Sequence, residues 1–350
     1  MKTLFCSLAA FLLALCASAQ TSTASDPDSA TFDPDGTAHI TRVVPIPGTV
    51  SPEAQHWLKE IEHEGPQSKD LAEIRSGTDA WRKRDSAEAL RLYPVKVEGK
   101  NIAGVRTDLI SPLDTPEANK NRVLINLHGG GFISDSGSLI EGIPIAYLAK
   151  TKVVSVYYRL APENPFPAAV DDVVAVYKEL LKTYQPRSIG IFGTSAGAIL
   201  AGEVAVKLKQ SGLPLPAALG MFSTLADFSR PSDSQQLFAL NGFSGEIAPQ
   251  TSDRPHDERY LGKTDPKDPV LSPLFADLRG LPPCLLVTST RDLLLSNTSM
   301  FHLALQRANV NSQLVVFEAL PHAFWYHFQL PETREALQIM AQFFDEKLGQ

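Results

Sequence analysis

Two stretches of this 350-residue sequence have residue types and spacing suited to nucleophilic chemistry: Gly193-Thr194-Ser195-Ala196-Gly197 and His128-Gly129-Gly130-Gly131-Phe132. Residues 188–192 alternate small or polar side chains with isoleucine and phenylalanine, and an alanine-rich, helix-favouring segment runs from 196 to 209. This reads as a strand, a sharp turn and a helix with Ser195 at the apex. The flanking glycines remove Cβ atoms that would clash in so tight a turn. The hydroxyl is then pushed clear of the sheet and faces the positive end of the following helix. An ordinary strand-to-helix turn satisfies the same five residues, so the pattern needs further parts. Three consecutive glycines cost conformational entropy, which implies a need for bare backbone N–H groups or positive φ. Pointed at one spot near Ser195 Oγ, the N–H groups of Gly130, Gly131 and Ala196 would form an oxyanion hole. Losing one such donor typically costs about 3–4 kcal/mol of transition-state stabilisation.

A serine hydroxyl needs a base, and the base needs elements to position it. Apolar runs at 123–127, 153–157, 189–192, 217–222, 284–288 and 314–317 read as buried parallel strands. A period-two pattern at 95–98 and 104–110 reads as an antiparallel pair ahead of them. Helical patterns at 168–183, 196–209, 295–308 and 331–347 lie between strands or after them. Alternating strands and helices imply an α/β fold with a doubly wound, mostly parallel sheet. This turn resembles that of the α/β-hydrolases, and the resemblance implies that acid and histidine follow the serine in chain order at successive strand ends. Of eight histidines, His322 fits, in the loop Leu320-Pro321-His322-Ala323-Phe324 after the last strand. His302 falls in a helical pattern and His327 beyond the loop, which suits structural roles. Asp292, after the strand at 284–288, fits the acid: its carboxylate would accept the imidazole N–H and stabilise the imidazolium. Asp268 and Asp277 precede that strand and fit less well.

The remaining segments surround this core. Residues 20–50, rich in Ser, Thr, Asp, Pro and Gly, show no clear period and read as a flexible arm. Ser51-Pro52-Glu53 is a helix-start signature, and residues 51–92 read as two helices forming an N-terminal cap or lid. The α/β body is expected over 93–350, with an insertion at about 227–274 where the sheet pattern lapses. An insertion of that length suits a lid or pocket wall.

In order along the chain, His128-Gly129-Gly130-Gly131, Tyr158-Arg159-Leu160-Ala161-Pro162-Glu163, Gly193-x-Ser195-x-Gly197, Asp292 and His322 resemble the hormone-sensitive-lipase-like family of α/β-hydrolases, mostly bacterial esterases. The resemblance covers roughly 95–348. It implies an α/β-hydrolase fold with a helical cap, and hydrolysis of short- to medium-chain carboxylic esters through an acyl-enzyme, with no cofactor or metal. Ser195 would be the nucleophile, His322 the base, Asp292 its orienter, and Gly130, Gly131 and Ala196 the oxyanion donors. His128, Gly129, Tyr158, Arg159 and Glu163 would brace the glycine loop. Phe132, Phe228, Phe238, Phe243 and Phe324 are candidates for the pocket wall. The sequence departs from the family pattern at Thr194 and Ser296, where a carboxylate is usual, and at Tyr157, where Asp is common. An amidase or peptidase would use the same triad, and a ligand-binding relative would keep the fold while losing a triad member. A homodimer through the last helix or edge strand is a further family-based expectation.

Composition narrows the remaining classes. A hydrophobic fraction of 43% suits a globular chain, and a net charge of −7 argues against a nucleic-acid partner. Met1-Lys2, the apolar run 4–16 and Ala17-Ser18-Ala19 have the form of a secretory signal over 1–19, implying an exported, periplasmic or secreted protein. An uncleaved or lipidated N-terminus at Cys16 is the alternative, for which Leu15 is a poor fit. The run is too short for a stable membrane span. Beyond the signal only Cys284 remains, so no internal disulfide forms. No phosphate-binding loop, metal-ligand spacing or internal repeat is present.

Overall fold

The computed structural model describes residues 28–61, 68, 70–135, 139–245, 247 and 258–349. The expected signal at 1–19 lies outside them. The described residues up to Pro45 belong to a unit of their own. In it, β1 (Ser29–Phe32) and β2 (Ala38–Thr41) pair antiparallel. The segment read as a patternless arm therefore contains a hairpin. Its signal was local: Asp33-Pro34-Asp35-Gly36 is a turn sequence, with Gly36 at φ 91° and its N–H on Asp33 O at 2.9 Å.

The second unit, from Ile46, opens with α1 (Pro52–Glu60) and α2 (Leu71–Leu92). Both start as their sequences dictate. Ser51 Oγ accepts the N–H of Ala54, and Asp70 Oδ1 accepts those of Ala72 and Glu73. Ser51 also donates twice to Glu332, pinning α1 to the last helix.

An eight-stranded sheet follows: β3 (Val95–Ile102), β4 (Val105–Pro112), β5 (Val123–Leu127), β6 (Lys152–Val156), β7 (Ile189–Thr194), β8 (Ala218–Phe222), β9 (Cys284–Ser289) and β10 (Ser312–Phe317). The spatial order is β10-β9-β8-β7-β5-β6-β4-β3, parallel except where β4 meets β3 and β6. Both faces are covered, so β5, β7, β8 and β9 are buried at every residue and read as unbroken apolar runs. Val123, Ile125 and Leu127 pack toward α4 (Ala168–Leu180), α5 (Ala196–Gln210) and α8 (Leu295–Arg307), while Leu124 packs on the opposite side.

That opposite layer contains α1, α9 (Pro331–Lys347) and α3 (Gly142–Ala149), a helix the sequence pattern did not reveal. Its residues GIPIAYLA are buried on nearly all sides, so no polar face marks a helical period. The insertion holds two short helices among its described residues, α6 (Asp233–Leu237) and α7 (Glu258–Leu261). Among the described residues no helix is long and apolar enough to cross a membrane.

After β5 the chain crosses to β6 on one side and returns to β7 on the other. Ligand crevices of doubly wound sheets open at that reversal, beyond the carboxyl ends of the strands. Pairing of Leu127 with Gly193, and of Thr194 with Phe222, brings the ends of β5, β7 and β8 side by side there.

Candidate active site

Ser195 sits between β7 and α5 with φ 58° and ψ −124°, a strained conformation for a residue with a side chain. The end of β5 presses against this turn. A Cβ on Gly193 would stand 2.3 Å from Leu127 O, and one on Gly197 only 1.8 Å from it. Both glycines are thus required by space. The Ser195 N–H donates to Phe222 O at 3.0 Å and its carbonyl accepts from Ile199, fixing the turn to β8 and to the first turn of α5.

The glycine run follows β5 directly. Gly130 and Gly131 have φ of 99° and 61°, and a Cβ on Gly130 would meet Ser134 O at 2.4 Å. The Gly129 Cβ position lies 3.4 Å from the Ser195 Cβ, so the loop passes beside the serine. Among the described residues, no acceptor takes the N–H of Gly130, Gly131 or Ala196.

The loop is braced from several sides. Tyr158 Oη donates to His128 O at 2.7 Å, and its ring stacks on the buried imidazole at 4.1 Å. His128 Nδ1 donates to Gly129 O at 2.8 Å, and burial pushes the His128 value down, keeping the ring neutral. Glu163 acts through Arg75 of α2: it takes two hydrogen bonds from that guanidinium, which also donates to Ile133 O and Ala161 O. Arg159 corrects the expectation. Among the described residues its backbone N–H and guanidinium bind Asp172 of α4, and the guanidinium also Ala168 O, instead of the loop. From α2, Arg82 enters beneath the loop, with Nη2 3.6 Å from the Gly129 Cβ position and Nε 3.1 Å from Asp135 Oδ2.

Asp292 and His322 are brought together by the loops after β9 and β10. His322 Nδ1 donates to Asp292 Oδ1 at 2.9 Å. Asp292 is fully buried, and it also accepts from Thr288 Oγ1 and the Leu294 N–H, each at 2.9 Å. Burial pushes its carboxyl up, but the neighbouring imidazole, the Ser223 hydroxyl and the Leu294 N–H outweigh burial and hold it below its ordinary value. Ser289 Oγ on Leu320 O and Thr290 Oγ1 on the Ala319 N–H tie the two loops to each other. Trp325 Nε1 donates to Thr194 Oγ1 at 2.9 Å, fastening the histidine loop to the residue before Ser195. The hydrogen bonds of the described residues include none between the Ser195 hydroxyl and His322; such bonds commonly tighten only with substrate bound.

One residue at this junction was not anticipated. Ser223, directly after β8, donates its hydroxyl to Asp292 Oδ2 and lies 2.7 Å from His322 Nδ1.

The departures from the family pattern have local partners. Thr194 has a carboxylate in its surroundings after all: Glu141, at the start of α3, accepts from Asn126 and Tyr326 at 2.8 Å, and Thr194 helps to counter the rise that burial imposes on its carboxyl. Tyr157 donates to Asp108, and Ser296 exchanges hydrogen bonds with Ser234 of α6. His302 pairs with Ser312, His327 packs on Trp57, and Asp277 binds Arg279 and Lys209. Asp268 caps the N–H groups of Val270 and Leu271. Phe132 stacks on Tyr260 at 3.5 Å with Phe228 nearby, whereas Phe238 and Phe243 pair in the insertion. Phe324 is fully buried against Phe317 and Trp325 and belongs to the core instead of a pocket wall. Among the described residues no three His, Cys, Asp or Glu side chains are grouped to hold a metal ion.

Residues 124–326 match a family described as having the alpha/beta hydrolase fold. An acetyl-hydrolase of Streptomyces hygroscopicus is 35% identical over 67% of this chain and 79% of its own length. An esterase of Acinetobacter venetianus is 30% identical over 72% of this chain and 84% of its own. The crystal structure of an esterase from the bacterial hormone-sensitive lipase family superposes with a TM-score of 0.67 at 30% identity, covering 81% of this chain and all 100% of that one. The sheet order, the strained serine at the reversal point and these likenesses agree: the chain belongs to the α/β-hydrolase family, in its hormone-sensitive-lipase-like branch.

Proposed function

We propose that the protein is a carboxylic ester hydrolase working through a Ser195 acyl-enzyme. The observation that carries this reading is the Asp292–His322 pair at the same carboxyl end of the sheet as a strained Ser195 and three N–H groups for which the described residues provide no acceptor. In the proposed cycle His322 Nε2 takes the Ser195 proton while Oγ attacks the ester carbonyl carbon. The carbonyl oxygen becomes the oxyanion and accepts from Gly130, Gly131 and Ala196. The imidazolium, stabilised by Asp292, protonates the departing alkoxide. Water then enters, gives its proton to His322, and attacks the acyl carbon; collapse returns the proton to Ser195 and frees the acid. The bracing of the glycine loop by Tyr158, Arg75 and Glu163 supports a fixed oxyanion site, which works without reorganising during reaction.

Short- to medium-chain acyl groups are the proposed substrates, in keeping with relatives named acetyl-hydrolase and esterase. The test is hydrolysis of p-nitrophenyl esters from acetate to palmitate by the wild type and by Ser195→Ala. Turnover that declines along the series and is lost in the variant is expected. A folded wild type inert on every ester would overturn the proposal.

A further inference from the structure

We propose that Ser223 is a positioning residue for the base, sharing with Asp292 the task of orienting His322. The inference rests on the acyl-enzyme reading above and extends it by one residue. An ionised carboxylate can only accept, so the single hydrogen of the Ser223 hydroxyl is committed to Asp292 Oδ2. Its lone pairs then face His322 Nδ1, 2.7 Å away. Nδ1 must therefore carry the hydrogen, and that N–H lies between two acceptors, Asp292 Oδ1 at 2.9 Å and Ser223 Oγ. Held at two points, the ring has one orientation and one tautomer, with Nε2 left bare to receive the serine proton. Ser223 and Asp292 are both fully buried, so water does not compete for these bonds.

The backbone supplies a second, independent observation. Ser223 has φ 56°, a conformation in which glycine is unstrained and other residues are not. Its N–H is anchored on Val287 O at 2.7 Å, which fixes where the side chain starts. Nothing in the bend calls for a side chain; the contact with Asp292 and His322 does.

This makes the expected behaviour of variants opposite in sign to that of a structural residue. Ser223→Gly relieves the bend but removes the hydroxyl, and Ser223→Ala removes the hydroxyl alone. Both are expected to lower kcat on p-nitrophenyl acetate about tenfold with KM unchanged, the loss typical of one charge-assisted hydrogen bond. Ser223→Thr keeps the hydroxyl on a β-branched residue that tolerates positive φ poorly, so it loses stability yet keeps kcat within about twofold. If threonine is not accommodated, the glycine and alanine variants decide. Wild-type kcat in a folded Ser223→Gly, or an activity order with glycine above threonine, overturns the proposal. Ser195→Ala is measured alongside. If it keeps turnover, the nucleophile assignment falls and the role of Ser223 with it; if it is inactive while both Ser223 variants keep full kcat, only the role of Ser223 falls.

Discussion

Between pH 4.5 and 7 the Glu141 carboxyl holds a proton more firmly in the native chain than in the unfolded one, because burial pushes its value from 4.5 up to about 7. Unfolding in that window releases the proton, so stability declines as pH rises, by up to about 3 kcal/mol across the window. Glu203, buried against Tyr260, is raised for the same reason and acts with the same sign. The contribution of Glu141 is therefore read as a difference between chains. Thermal unfolding from pH 5 to 8 is expected to show a shallower decline for Glu141→Gln than for the wild type; parallel curves would refute the assignment. At this scale the sequence pointed to Ser195, Asp292 and His322 because each follows a recognisable strand. It was silent on Ser223, Glu141 and Arg75. Ser223 meets His322 across 99 residues, Glu141 meets Tyr326 across 185, and Arg75 meets Glu163 across 88. Polar contacts at such separations leave no periodic mark in the chain.

Glycines in two kinds of element have opposite expectations. Gly197→Ala would drive a Cβ into backbone at Leu127 O, where nothing flexible can yield. A loss of about 3 kcal/mol or more, at the upper end for overpacking, is expected in urea unfolding. Gly77, inside α2, has nothing within 4 Å of its Cβ position. Gly77→Ala is expected to stabilise by about 0.5–1 kcal/mol, the helix-propensity difference, in the same assay. The elements themselves were legible in proportion to their contrast with their surroundings. The buried strands stood out as short apolar runs, and α1 showed a clear start at Ser51-Pro52-Glu53, whereas α3, apolar on nearly all sides, and the hairpin in a polar segment did not.

For the molecule as a whole, the alternation of strands and helices was enough to imply a doubly wound sheet, and the sheet order explains why parts from distant stretches meet at one edge. It did not reveal how deeply α2 is built into that edge. Arg82 is buried, its guanidinium lies 4.2 Å from the Trp81 ring and 4.6 Å from that of Tyr326, and its Nε meets Asp135 beside the glycine loop. Removing one partner of a buried ion pair typically costs about 3–5 kcal/mol, so Arg82→Met is expected to lose stability of that order in urea unfolding. A loss under about 1 kcal/mol would show that the pair is dispensable. The same insertion sets a limit on modularity. A graft of foreign N-terminal helices would treat them as a detachable cassette and the sheet as a common chassis. Here the cassette carries a cation that the chassis encloses, so a graft succeeds only if the incoming helix brings a guanidinium to the same place, or if Asp135 is changed with it.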